Sequence, residues 1–190
     1  LEDGRVDFRE LNLIQNIEKG GVLCSLIPPT PGKPGKTVAG TDIPALDGKP
    51  EVLPRGRNVV VSEDGTQLVA GIDGQISYID GKVSVFATHE VKADVDNSTG
   101  NINFIGNVVV MGNVLSGFTI EAGGNVEVMG VVEGATIRAG GDIILRRGMQ
   151  GMGKGILISG GDIIARYIEN SNVEARNDIK AEAIMHSNVK

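Results

Sequence analysis

Residues 119–145 read TIEAGGNVEVMGVVEGATIRAGGDIIL, and the fold turns on them. The same pattern occurs twice: an apolar–polar–apolar run, two glycines, then Asn125 or Asp142, then a second alternating run. The pattern recurs on either side around Asn107, Asp162 and Asp178, so the anchors are separated by 18, 17, 20 and 16 residues. Five positions before them stand Ile102, Ile120, Ile137, Leu157 and Val173, and one position after them Val108, Val126, Ile143, Ile163 and Ile179. Three before are Phe104, Ala122, Ala139, Ser159 and Ala175; three after are Val110, Val128, Leu145, Ala165 and Ala181. Alternation at period two is that of a strand, not a helix. Gly123-Gly124, Gly140-Gly141 and Gly160-Gly161 separate the runs, where sharp corners are expected to need positive φ. A third apolar point follows at Val114, Val132, Ile168 and Ile184. Three short strands and three corners per repeat make one coil of a parallel β-helix, a solenoid of stacked copies. Coils stacked at about 4.8 Å give a rod on the order of 20–25 Å from these repeats. The fold class is therefore all-β.

Composition agrees. Aromatic residues are 3% with no Trp, and Gly accounts for 28 of 190 residues, which suits a narrow interior of Val, Ile and Ala. A net charge of −6 with scattered Lys and Arg argues against a nucleic-acid partner, which needs a concentrated basic face. One cysteine, Cys24, excludes an internal disulfide and fits a reducing, cytoplasmic setting. No apolar run approaches the roughly 18 residues of a membrane span. The chain opens at Leu1 without a methionine and stops at Lys190, just after a further repeat begins at Val189. It reads as a fragment whose solenoid is cut short at its C-terminal end.

Residues 1–97 lack the repeat and are expected to form a separate domain, with the solenoid over 98–190 and the boundary near Asp96-Asn97-Ser98-Thr99-Gly100. Every proline lies in this first part, from Pro28 to Pro54. A Pro-rich, turn-rich stretch with short β-like runs suggests an irregular β-barrel or sandwich. Strands are expected at 22–27, 58–62, 67–70, 75–79 and 82–86, with Asp80-Gly81 as a two-residue hairpin turn. Residues 8–17 are expected to be extended.

Several stretches resemble chemistry. Gly32-Lys33-Pro34-Gly35-Lys36-Thr37 ends like a phosphate loop, but Thr30 stands where a glycine is needed, Pro31 and Pro34 remove amides, and no helix follows. A Pro/Gly loop between strands is the better reading. His89 and His186 lack further ligands at metal spacing, which argues against zinc, and each is expected to be a solvated strand-end residue. Cys24 sits in an apolar run and is expected to be buried and inert. Asp142, Asp162 and Asp178 form a column in which a bound cation could relieve carboxylate repulsion, but the tighter nine-residue repeat of a calcium-binding β-roll is absent, and the carboxylates are expected to point into water. No catalytic, cofactor or metal residue is assigned.

Two features read as surfaces. The outward position two beyond each anchor holds Val109, Glu127, Ile144, Ile164 and Lys180. Ile144 and Ile164, with outward Ile158, would form a small apolar patch on one face, touching another domain or chain or covered within the same chain. The insertion from Arg146 to Gly155 lengthens one coil to 20 residues. Its glycines with Met149 and Met152 suggest a flexible protruding loop, either a binding loop or a tolerated insertion.

Gly32-Lys33-Pro34-Gly35 with Val38-Ala39-Gly40, Gly56-Arg57-Asn58-Val59, Asp64-Gly65, Ala70-Gly71, Asp94-Val95-Asp96, Thr99-Gly100-Asn101-Ile102-Asn103-Phe104 and the Gly-Gly-Asp-Ile coils follow one another in order. In that order the chain resembles the bacterial flagellar assembly protein A family, from about Gly4 onward. The resemblance implies an N-terminal β-rich domain, a right-handed β-helix and a coiled coil beyond it. The helix is also similar to those of bactofilins and of the C-terminal domain of the septum inhibitor MinC. It implies a cytoplasmic role in flagellar assembly or cell-surface organisation through protein contacts, without catalytic residues.

The leading expectation is a scaffold that self-associates and binds partner proteins, since solenoid ends offer strand edges. One alternative is a carrier-like or regulatory β module: the segments from Glu18 and from Ala70 faintly resemble biotinyl and lipoyl domains, and Lys82 follows a hairpin tip, although its flanks do not match. Another is a polysaccharide-active β-helix enzyme, which needs clustered outward carboxylates that these columns lack.

Overall fold

The structure, a computed structural model, describes residues 9–11 and 14–190. The expectation of extended chain over 8–17 falls partly outside these residues; Asn16–Ile17 is a strand. No helix occurs among the described residues, so none is long and apolar enough to cross a membrane.

The second half is a β solenoid. Ile102 pairs with Ile120, Ile120 with Ile137, Ile137 with Leu157 and Leu157 with Val173, all in parallel. Val108, Val126, Ile143, Ile163 and Ile179 form a second ladder in the same register. Both columns are buried, except that Ile179 in the last coil is partly buried. Parallel pairing begins at Thr88–Val91, beside Asn107–Val110, ahead of the stretch where composition changes. Phe104 fills the width of the early coils where later ones carry Ala122 and Ala139. In the same column Ser159 is buried; its hydroxyl donates to Gly141 O at 2.7 Å and accepts from the Gly161 amide at 3.1 Å.

The corners work differently from the sequence expectation. None of the paired corner glycines has positive φ. They are required because a Cβ would collide with the coil beneath: at Gly123, Gly140 and Gly160 with the carbonyl oxygens of Ile105, Gly123 and Gly140, and at Gly124, Gly141 and Gly161 with the side-chain oxygens of Asn107, Asn125 and Asp142.

Those oxygens explain the anchors. Asn107 Oδ1 accepts the Asn125 amide, Asn125 Oδ1 the Asp142 amide and Asp142 Oδ1 the Asp162 amide, each at 2.8 Å. The anchor side chains therefore lie along the axis against the next coil's backbone, and Asp142 and Asp162 are not simply turned into water. The glycine before each anchor leaves room for the oxygen below. In the last coil Asn177 holds that place, and the Asp178 amide is 3.3 Å from Asp162 Oδ1. Asn125→Ala is expected to cost about 1 kcal/mol in urea unfolding, and Asn125→Asp, which keeps the accepting oxygen, only a few tenths, about 0.3 kcal/mol.

Residues ahead of the first-half sheets close the first coil. Arg9 O accepts the Asn101 amide at 2.6 Å, and the Arg9 guanidinium donates to Gly117 O at 2.8 Å while lying 5.3 Å from the Phe118 ring centroid. Asn16 donates to Asn103 O at 3.1 Å and accepts from the Ile105 amide at 3.4 Å, occupying an edge that no strand of the described residues pairs. Asn16 and Ile17 in turn pair antiparallel with Gln75 and Gly74. The compact unit of the solenoid thus gathers the described residues up to Ile17, Asp73–Ile76 and Phe86–Lys190.

The other unit, Glu18–Ile72 with Ser77–Val85, is built of small antiparallel sheets. Val22–Ser25, Gln67–Ala70 and Val59–Val61 form one around Leu68, Val59, Ala70 and Val85. Gly35–Lys36 and Asp42–Ile43 form a separate hairpin, so the phosphate-loop look-alike is a β arm with no helix behind it. The turn at Asp80-Gly81 has φ of 51° and 71°, the left-handed pair that a two-residue hairpin requires. Asp64 accepts from the Ser62 hydroxyl at 2.6 Å and the Thr66 hydroxyl at 2.7 Å, which holds its pKa at about 2.

Candidate interaction surface

Each coil's second strand turns two residues outward, at two and four positions beyond the anchor. Up the solenoid the first position gives Val109, Glu127, Ile144, Ile164 and Lys180, in register. The second gives Met111, Met129, Arg146, Arg166 and Glu182. The face is therefore apolar at its start and mixed toward its end. Its charges are tied between coils: Arg146 Nε donates to Glu127 Oε1 at 2.7 Å, and Arg166 Nε lies 3.4 Å from Glu182 Oε2. Lys180 Nζ sits 3.1 Å from Asp162 Oδ2 and 3.4 Å from Asp178 Oδ2.

The Lys180 hydrogen bond, followed by the Asp178 amide, holds the Asp162 carboxyl below its ordinary value of 3.8. With the folded value depressed, the contribution is present above the unfolded pKa and is lost as pH falls through the folded one. Lys180→Met is expected to lower the melting temperature at neutral pH and to leave it unchanged well below pH 3.8.

The structure brings together two of the five residues singled out from sequence. Ile144 stands directly opposite Ile164 on adjacent coils; Ile144 is half-buried and Ile164 is 41% exposed. Ile158 belongs to a different column, between Arg138 and Glu174 on the first strand of the coil, around a corner from Ile164. Met149 is not on a surface. It is fully buried between Val132 and Ile168 and completes the third inward column, which the sequence left blank at this coil. The insertion is strand rather than loop over most of its length, Gly148–Ser159, with a bulge between Gln150 and Gly155. Met152, 54% exposed, and Gly153 turn at the bulge tip with φ of 50° and 73°.

The remaining candidates do not converge. Cys24 is half-buried and free, more accessible than expected. His89 lies within a strand, half-buried, with its ring 6.0 Å from that of Phe104 and Nδ1 2.7 Å from Gln75 Oε1; burial lowers its pKa. His186 is exposed at a left-handed corner. Among the described residues no group of His, Cys, Asp and Glu could hold a metal ion.

Parallel coils, an Asn/Asp amide ladder and a capped first coil define a β-solenoid protein. Residues 87–190 match the model of the Flagellar Assembly Protein A beta solenoid domain, and residues 1–81 that of the Flagellar Assembly Protein A N-terminal region. The chain belongs to this family. Comparison with curated proteins and with solved structures finds no match.

Proposed function

We propose that the chain is a non-enzymatic scaffold that serves flagellar assembly or cell-surface organisation in the cytoplasm, holding protein partners and a second copy of itself against the solenoid face that carries Ile144 and Ile164. The observation that carries this reading is the stacked isoleucine pair on a rigid β face, left partly open within the chain. Flat parallel strands fixed by coil-to-coil hydrogen bonds present such side chains with little ordering cost on binding. The coils are read as right-handed, the hand that parallel crossovers adopt. The patch alone would not hold a tight dimer, so the flanking ion pairs set the orientation of the contact. Sedimentation velocity tests it: Ile144→Lys with Ile164→Lys is expected to shift the chain toward the monomer while its melting temperature holds. An unchanged distribution relative to the parent removes this face from the contact.

A further inference from the structure

The solenoid repeats its second corner faithfully twice and then breaks it. Five positions beyond the anchor stand Gly112 and Gly130, where a Cβ would meet the Ala93 carbonyl carbon at 2.7 Å and the Gly112 carbonyl carbon at 2.6 Å. In the next coil Arg147 takes this position, and the glycine moves one place on, to Gly148, with φ of 144°. The shift leaves Arg147 exposed. It also clears space above Gly148 for the Tyr167 ring, whose Cδ1 would lie 2.7 Å from a Cβ there. The result is an open cleft of about 420 Å³ lined by Val131, Arg147, Arg166 and Tyr167, with no carboxylate in its lining. In a repeat architecture, a local departure that builds a new cavity is where a binding site is expected.

The cleft has a definite chemistry. Arg147 joins none of the ion pairs among the described residues, whereas Arg138 and Arg146 each face a glutamate of a neighbouring coil. Arg166 is held only by Glu182 at 3.4 Å, with both side chains at least 70% exposed, an exchangeable pair of little net worth. Guanidinium groups bind carboxylates through paired N–H donors, and the half-buried Tyr167 ring and Val131 offer an apolar wall for the stem of an acidic side chain. The chain's net charge of −6 and the small extent of this basic site do not suit a nucleic-acid backbone.

We propose that the cleft between Arg147 and Arg166, walled by Tyr167 and Val131, binds an acidic segment of a partner protein. This deepens the scaffold reading by naming the chemistry of a partner, and it rests on that reading. The test is fluorescence anisotropy of a short fluorescein-labelled oligoglutamate peptide at low salt with the full chain. Saturable binding is expected, weakened about tenfold by each of Arg147→Glu and Arg166→Glu. Arg147→Lys should recover part of the loss, and Arg176→Glu, at another exposed corner, should bind as the parent does. Circular dichroism and melting establish that each variant is folded. The proposal is overturned if the parent shows no saturable binding, if the Arg147→Glu, Arg166→Glu double variant binds equally well, or if inorganic phosphate or an oligothymidylate of equal charge competes as strongly. The isoleucine patch is read by sedimentation and this cleft by peptide binding, so either can fail without the other.

Discussion

Ile143→Asp is expected to unfold the solenoid cooperatively. Ile143 is fully buried, stacked between Val126 below and Ile163 above. It belongs to a core cluster made only of Val, Ile, Leu, Ala, Phe and Met, whose side chains offer a carboxylate no donor. Burying an unpaired charge costs several kcal/mol or forces protonation, against a total stability of roughly 5–15 kcal/mol for a domain. Each coil templates the next, so losing one rung exposes the rungs beside it. Glu127→Ala, on the same sheet but outward and paired with Arg146, is expected to cost no more than about 1 kcal/mol. Thermal melts followed by far-ultraviolet circular dichroism compare the two. Shifts of equal size would mean that the inward and outward assignments are wrong.

The second large effect is expected from the smallest change, Gly141→Ala. The added methyl would collide with Asn125 Oδ1, the oxygen that accepts the Asp142 amide. Either that hydrogen bond breaks or two coils move apart, and the rungs on both flanking strands follow. A cost of about 2–4 kcal/mol is expected, in the range of overpacking combined with a lost hydrogen bond. Gly153→Ala is the matched control: nothing lies within 4 Å, and only its φ of 73° opposes the change. That strain amounts to about 1 kcal/mol. Urea midpoints for the pair separate close approach from backbone conformation. If Gly141→Ala were the milder of the two, the corner would have slack that the packing does not show.

Much of this was legible in the chain because the repeat is written in residues whose roles are steric. The offsets of Ile120 and Val126 from Asn125 identify rungs, strand faces and register before any coordinates. What was not legible were the reasons for the anchors and glycines. A Gly-Gly-Asp string suggests a turn with positive φ, and only the stacking distance shows that the glycine makes room for an oxygen from another coil. Met149 was misread for a related cause. Its flanking glycines suggest flexibility, but Gly148 and Gly155 are where Tyr167 and Met149 press closest on backbone. The first coil was hidden because Thr88 stands at the anchor position without a glycine pair before it. The cap at Asn16 and Arg9 has no local signature at all, since its partners lie 87 and 108 residues away.

That separation has a consequence for how the chain is made. Arg9 and Asn16 leave the ribosome well before the carbonyls they serve, Gly117 O and Asn103 O, which follow 108 and 87 residues later. At 5–20 residues per second the wait is on the order of 5–20 s, long compared with the folding of small sheets. The intervening unit, Glu18–Ile72 with Ser77–Val85, can therefore fold while Arg9 and Asn16, which will close the solenoid, still await their solenoid carbonyls. The coils then emerge in order, each with its template already in place, and the first of them is sealed by residues made before the intervening unit.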